Sequence, residues 1–315
     1  MKEFELIEKL SAVFPQKVDI GIGDDTAAVK TDSGYSLFTV DTIAVNTHYR
    51  RSWEKKFKKL YFSLGWKLLA ISVSDIASMG GLPELALLSF CLEKNFSEER
   101  ILELSKGLSE AARRYNVSII GGDTVKGESE VFSLTLTGKA FSLMRRDGAV
   151  SGDLVGVVGT CGDAAGGLYL LEKRDLPFSE EEEKIIRKFL FPKPSPETGK
   201  FLAEIGVKCC IDNSDGLLIS LSLIAEKSGV ALNIDRSKIP VSKELKSLFG
   251  EEAEKLALTG GEDFNLIFTF PENLKGKVEK IPSVSIIGRV ENGEGVYLNG
   301  RRVEPAGFDH FGGDK

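Results

Sequence analysis

Histidine is almost missing from this 315-residue chain and cysteine is scarce, with 2 and 4 residues respectively. A His/Cys zinc centre is not indicated, and a Ser-His-Asp triad would have to use His48 or His310, neither of which lies in a nucleophile-elbow context. Cys91, Cys161, Cys209 and Cys210 show no C-x-x-C spacing. The adjacent pair Cys209-Cys210 would point to opposite faces of a strand, and the cysteines read as buried small hydrophobes. No G-x-x-x-x-G-K-[ST] occurs, because Gly138-Lys139 and Gly199-Lys200 are followed by Ala140 and Phe201, so any use of ATP proceeds without a P-loop. The run Gly156 to Gly162 lacks the spacing of a dinucleotide fingerprint and reads as tight turn packing. Long apolar stretches are absent, and Met1 to Glu5 lacks a basic start and apolar block, which predicts a cytoplasmic protein without membrane contact. A net charge of −6 argues against a nucleic-acid partner.

The composition, 42% hydrophobic and 28% charged, is that of a globular chain with real cores, and the length suggests about two domains. Helical spacing is read at Phe4 to Phe14, Phe57 to Met79, Ser97 to Tyr115, Ala164 to Leu171, Glu180 to Phe191, Ser195 to Ile205, Leu217 to Ser228 and Ser242 to Leu258. Strands are read at Tyr35 to Val40, Leu85 to Leu92, Val117 to Ile120 and Val131 to Ala140. Others follow at Leu154 to Val158, Lys208 to Ile211, Leu232 to Ile234, Leu266 to Phe270, Ile286 to Val290 and Gly295 to Leu298. Strands and helices mix without strict alternation, which favours an α+β fold. The domain boundary is placed where Arg145-Arg146-Asp147-Gly148 meets Ser151-Gly152-Asp153, dividing the chain into 1–148 and 149–315.

What the chain does have is aspartate beside glycine or at the ends of β-like runs: Asp24, Asp25, Asp41, Asp75, Asp123, Asp212 and Asp215, almost none with a basic neighbour. Gathering them would cost on the order of 4 kcal/mol for each pair about 4 Å apart at an effective dielectric near 20. Divalent cations remove that cost, and Mg²⁺ takes one or two carboxylates together with water and substrate phosphate. Gly23-Asp24-Asp25-Thr26 also fits an Asx-turn, and Asp41, at the expected end of its strand, also fits a helix N-cap. Asp75 interrupts an apolar helix, where an acid without a partner is expensive. Gly121-Gly122-Asp123-Thr124 offers backbone N–H groups beside an acid, and Asp212-Asn213-Ser214-Asp215-Gly216 lies between strand and helix, where N–H groups hold anions. Ser214 or Asp215 could equally cap that helix.

Taken in order, Gly23-Asp24-Asp25, Thr39-Val40-Asp41 with His48, Ser74-Asp75 with Met79 to Pro83, Gly121-Gly122-Asp123, Arg146 to Ala149, Gly159 to Gly167, Ser214 to Leu217, Gly260-Gly261-Glu262-Asp263 and Gly307 to Phe311 resemble the thiamine-monophosphate kinase family. That family sits in the aminoimidazole-ribonucleotide synthetase superfamily. The resemblance implies two α+β domains, a homodimer built through an N-terminal β-barrel, and a C-terminal α/β sandwich. It further implies Mg²⁺ held by Asp25, Thr39, Val40 (through its backbone), Asp41, Asp75, Asp123, Asp212 and Asp215. ATP would meet Gly122, Asp123, Arg146 and Ser214, and thiamine monophosphate would meet His48, Glu262 and Phe308. Asp41, Asp215 and Arg146 are the implied catalytic residues. Asn213 departs from the family's apolar residue, and Phe308 stands where relatives carry tryptophan, although phenylalanine still stacks on a heteroaromatic ring.

A phosphate-monoester acceptor, largely ionised at neutral pH, needs its charge screened more than it needs a general base, which accounts for the excess of acids. The expected reaction is in-line phosphoryl transfer from ATP to thiamine monophosphate without a phosphoenzyme. Other ATP-dependent synthetases of the superfamily are alternatives, as is a nucleotide-binding regulator without turnover. The first cysteine at Cys91 argues against a selenophosphate synthetase, and the absence of cysteine from the end Gly312 to Lys315 argues against a hydrogenase-maturation protein.

Overall fold

Alternating burial along one long strand sets the geometry of the first half. The computed structural model describes residues 3–14 and 17–308, so Pro15, His310 and the tail motif beyond Phe308 lie outside the described residues. The first half contains α1 (Glu3–Ser11), β1 (Ala27–Thr31), β2 (Gly34–Ala44), α2 (Leu60–Ser78), β3 (Leu82–Glu93), α3 (Glu98–Tyr115), β4 (Ser118–Gly127) and β5 (Val131–Ala140). Its strands form a sheet in the order β1-β2-β5-β3-β4, antiparallel except for the β3–β4 pair. In β2, Leu37 and Ile43 are buried while Phe38 and Val40 are exposed, as a period of two requires when one face packs on a helix.

That helix is α2. It is apolar nearly all round and buried along its length, which marks a core helix. Among the described helices it alone is long and apolar enough to cross a membrane, but 89% of its apolar window is buried inside the fold. Its contact with α3 depends on two glycines: a Cβ on Gly65 would lie 1.9 Å from the Leu104 carbonyl oxygen, and one on Gly107 would lie 1.8 Å from that of Phe62.

The second half contains β6 (Leu154–Val158), α4 (Asp163–Lys173), α5 (Glu180–Leu190), α6 (Pro196–Glu204), β7 (Cys209–Asp212), α7 (Leu217–Ser228) and β8 (Ala231–Ile234). It continues through α8 (Lys243–Phe249), α9 (Glu252–Thr259), β9 (Leu266–Phe270), α10 (Lys275–Val278), β10 (Val284–Glu291), β11 (Gly295–Leu298) and β12 (Arg301–Val303). These strands form a second sheet in the order β12-β11-β8-β10-β6-β9-β7. The architecture is α+β in two parts, and α2 joins them by packing on β7 and α6 as well as on its own sheet. Cys209 and Cys210 are fully buried in two different apolar clusters, as opposite faces of β7 demand.

Several elements differ from the sequence reading for local reasons. Asp41 does not end its strand, because β2 runs on to Ala44 and pairs in register with β5 as far as Val131. Gly121-Gly122-Asp123 does not follow its strand but lies inside β4, just past a register shift at Ile120, and a Cβ on Gly122 would sit 2.2 Å from the Leu88 carbonyl oxygen. The helix read over Ser242 to Leu258 is two helices, broken at Gly250 with φ 53°. The long helix read from Phe57 begins at Leu60. β1 and β12 were not foreseen, being short and poor in apolar alternation.

Candidate active site

One face of α2 supplies most of the scaffolding. Ser72, Asp75 and Ser78 follow each other at helical i, i+3 spacing, and Ser74 stands beside them. Each hydroxyl holds a carboxylate from a different part of the chain: Ser72 Oγ donates to Asp41 of β2 at 2.6 Å, Ser74 Oγ to Asp212 at the end of β7 at 2.8 Å, and Ser78 Oγ to Asp25 before β1 at 2.7 Å. Thr39 of β2 donates to Asp75 itself at 2.6 Å. All three serines are fully buried. Carboxylate oxygens of Asp25, Asp75 and Asp212 lie within 4.8 Å of one another, the one such group among the described residues.

Burial sets the electrostatics. It raises Asp41 to about 6, against donation from Ser72 and a hydrogen bond with Asp75. It raises Asp75 well above the carboxylate range, reinforced by the charges of Asp41, Asp212 and Asp25. Asp212 is raised to about 8 by burial and then by Asp25, with Ser74 and Arg146 opposing. The main opposing charge is Arg146, which pairs with Asp25 and lies 3.9 Å from Asp24. Arg145 reaches Asp24 at 4.0 Å. Asp24 and Asp25 thus do have basic partners, brought from more than a hundred residues away in sequence. Several buried carboxylates around one guanidinium, each oriented by a hydroxyl, form the oxygen-rich and negatively charged donor set that suits Mg²⁺.

Backbone contacts bring Ser214, Asp215, Glu262 and Phe308 together beside Asp212. Gly216, with φ 118°, is the N-cap of α7, so neither Ser214 nor Asp215 caps it by side chain. The Ser214 carbonyl accepts from the Glu262 amide at 2.6 Å, and the Asp215 carbonyl accepts from the Phe308 amide at 3.0 Å. Gly307 permits that approach, since a Cβ there would lie 2.3 Å from the Asp215 oxygen. Asp25, Thr39, Asp41, Asp75, Arg146, Asp212, Ser214, Asp215, Glu262 and Phe308 are therefore joined by short links.

Other expected residues stand apart. Val40 points to the opposite face of β2 and is 64% exposed. His48 lies beyond the end of β2, its Nδ1 accepting from the Ala44 amide at 3.0 Å. Gly122 and Asp123 are on the exposed edge strand. The sheet order puts Asp123 three strand spacings, about 14 Å, from β2. Its pairing with Ser89, itself paired with Ser133, turns it toward the face away from α2. The roles of Ser72, Ser74 and Ser78 were missed by sequence reasoning, because it is their complete burial around Asp75 that makes them carboxylate partners.

The chain matches the family models for AIR synthase related proteins, the N-terminal domain over residues 23–140 and the C-terminal domain over residues 150–300, which fixes its class. Within that class it is 35% identical to the thiamine-monophosphate kinase of Aquifex aeolicus over 312 residues, 98% of each chain. It is 33% identical to that of Pyrococcus horikoshii over 320 residues, 100% of this chain and 98% of the relative. A solved structure of AaThiL complexed with AMPPCP and TMP superposes with a TM-score of 0.90 at 34% identity, covering 98% of this chain and 97% of that one. The chain belongs to the thiamine-monophosphate kinase family.

Proposed function

We propose that this chain transfers the γ-phosphoryl group of ATP to thiamine monophosphate, forming thiamine diphosphate and ADP by direct in-line displacement. The observation that carries the reading is the group Asp25, Asp75 and Asp212, the first two half-buried and the third buried, assembled from both halves of the chain in a kinase family. The relative's complex with AMPPCP and TMP supports ATP and thiamine monophosphate as the pair of substrates. Asp25, Asp75 and Asp212 would hold Mg²⁺, with Asp41, Asp215, Thr39 and the Val40 backbone beside them. Bound there, Mg²⁺ supplies the charge screening that lets two phosphorylated ligands meet. The chain's own part is positional: the hydroxyls of Ser72, Ser74 and Ser78 fix the carboxylates, Arg146 reaches the nucleotide phosphates, and Ser214 faces ATP. His48, Glu262 and Phe308 serve the acceptor. Incubation with Mg²⁺, ATP and thiamine monophosphate, followed by ³¹P NMR, should show ADP and thiamine diphosphate rising together. ATP binding without product would mean a regulator instead.

We also propose a homodimer, with a cytoplasmic location and a division near residue 148 between the dimerising half and an α/β sandwich. The sheet face turned away from α2 exposes Phe38, Val40, Leu85 and Leu87, and β4 presents an exposed edge. A bare apolar face next to an open edge is the arrangement that a second sheet covers, and two copies closing on each other would make a β-barrel. In that assembly Gly122 and Asp123 serve the nucleotide of the partner copy. Asp41→Ala and Asp123→Ala chains, each inactive alone, should then recover about a quarter of wild-type activity when randomly reassorted, because half the dimers regain one intact site. No recovery would place Asp123 in its own chain's site.

A further inference from the structure

Seven residues before Ser74 on the same face of α2, and so about 10 Å along the helix, stands Lys67, a lysine only 3% exposed. Its Nζ lies 3.6 Å above the centre of the Phe189 ring of α5 and forms an ion pair with Glu262 Oε2. Both atoms of that pair are sealed from solvent, and neither hydrogen-bonds to anything else. The Glu262 side chain nevertheless keeps 27% of its surface accessible, so what it offers to the cleft lies away from the oxygen that Lys67 holds.

The loop carrying Glu262 is otherwise tied down by its backbone and by its neighbour. Glu262 and Phe264 have φ values of 72° and 52°, a left-handed conformation uncommon outside glycine. The Phe264 amide donates to the Asn213 carbonyl at 3.0 Å, and the Asp263 carboxylate accepts from the amides of Gly162 at 2.5 Å and Ala164 at 3.0 Å. None of these ties fixes the Glu262 carboxylate. Among the described contacts only Lys67 does, reaching from the first half of the chain into the second.

We propose that Lys67 is the positioning residue for the ring end of the acceptor: it clamps one oxygen of Glu262 so that the other is presented to an amino-bearing heteroaromatic ring. The α2 face then serves as a ruler, with Asp75 and the carboxylates held by Ser74 and Ser78 at one level and the ring-handling pair about two turns away. This inference rests on the kinase reading above.

The test is a double-mutant cycle of Lys67→Met, Glu262→Gln and the double variant, with KM for each substrate, kcat and Tm measured. Losing an oriented, charge-assisted hydrogen bond should raise KM for thiamine monophosphate about tenfold or more in either single variant, with KM for ATP within about twofold of wild type. If Lys67 acts through Glu262, the double variant is no worse than Glu262→Gln alone. It also carries no unpaired buried charge, so it reports even if Lys67→Met folds poorly. A KM for thiamine monophosphate unchanged in Lys67→Met, or a double variant whose defect is the product of the two, overturns the proposal. A fall in Tm alone would leave Lys67 a packing residue and overturn it too. Wild-type protein without turnover in the same assay would sink the kinase reading and this inference with it, whereas wild-type turnover with no change in the variants sinks only the inference.

Discussion

Asp75→Asn is expected to cut kcat/KM by at least about a thousandfold, the scale of losing a main charge-stabilising contact, while raising Tm in EDTA by roughly 2–4 °C. The two effects have one cause. Asp75 is buried beside Asp41, Asp212 and Asp25, and their charges push its proton affinity well above the carboxylate range. Asparagine keeps the oxygen that accepts from Thr39 and is neutral without taking up a proton on folding, so without metal the folded chain gains stability. Turnover collapses because the donor set has lost its central anion. A variant equally unstable and inactive would mean that Asp75 is a structural acid, and near-normal activity would remove it from the metal set.

Some of the acids of this site stand out in the sequence itself. Asp75 stands inside an apolar helix, where an acid without a partner is expensive, so it reads as a ligand or a tightly hydrogen-bonded acid, and the fold gives it the Thr39 hydroxyl. Asp25 and Asp212 draw attention as acids at turns beside glycine or a strand end, and the fold brings their carboxylates together with that of Asp75. What could not be read was the counter-charge: Arg146 meets Asp25 through tertiary packing alone, across 121 residues. The hydroxyls were overlooked because serine in a helix usually signals nothing, and only burial of all three gives them meaning. Asp123 reads as following its strand, but the strand continues through Gly121 and Gly122, which serve a close strand approach, and carries the aspartate along a sheet edge. Lys67 left no trace in local pattern, since a single lysine in a helix normally reads as a solvated face.

Stabilisation by Mg²⁺ should grow with pH. Asp41 and Asp24, each raised to about 6, and Asp212, raised to about 8, bind protons more tightly in the folded chain than in the unfolded one, where carboxylates titrate near 4. Between those limits the folded state holds more protons, so stability is fully present below pH about 4 and declines as pH rises through the folded values. In EDTA, Tm is therefore expected to fall by roughly 5–10 °C between pH 5.5 and 8.5. Metal ligands must be deprotonated to bind, so protons and Mg²⁺ compete for the same oxygens and binding releases protons. At millimolar Mg²⁺ the metal should add little to Tm at pH 5.5 and several degrees at pH 8, flattening the profile in the way any ligand selective for the folded state does. Scanning fluorimetry across pH, with and without EDTA, reads this directly. A Mg²⁺ shift that is constant with pH, or greatest at the acid end, would mean that the ion binds away from Asp41, Asp75 and Asp212. Asp212→Asn should weaken the pH dependence in EDTA, because one of the carboxyls that binds its proton more tightly in the folded chain will have been removed.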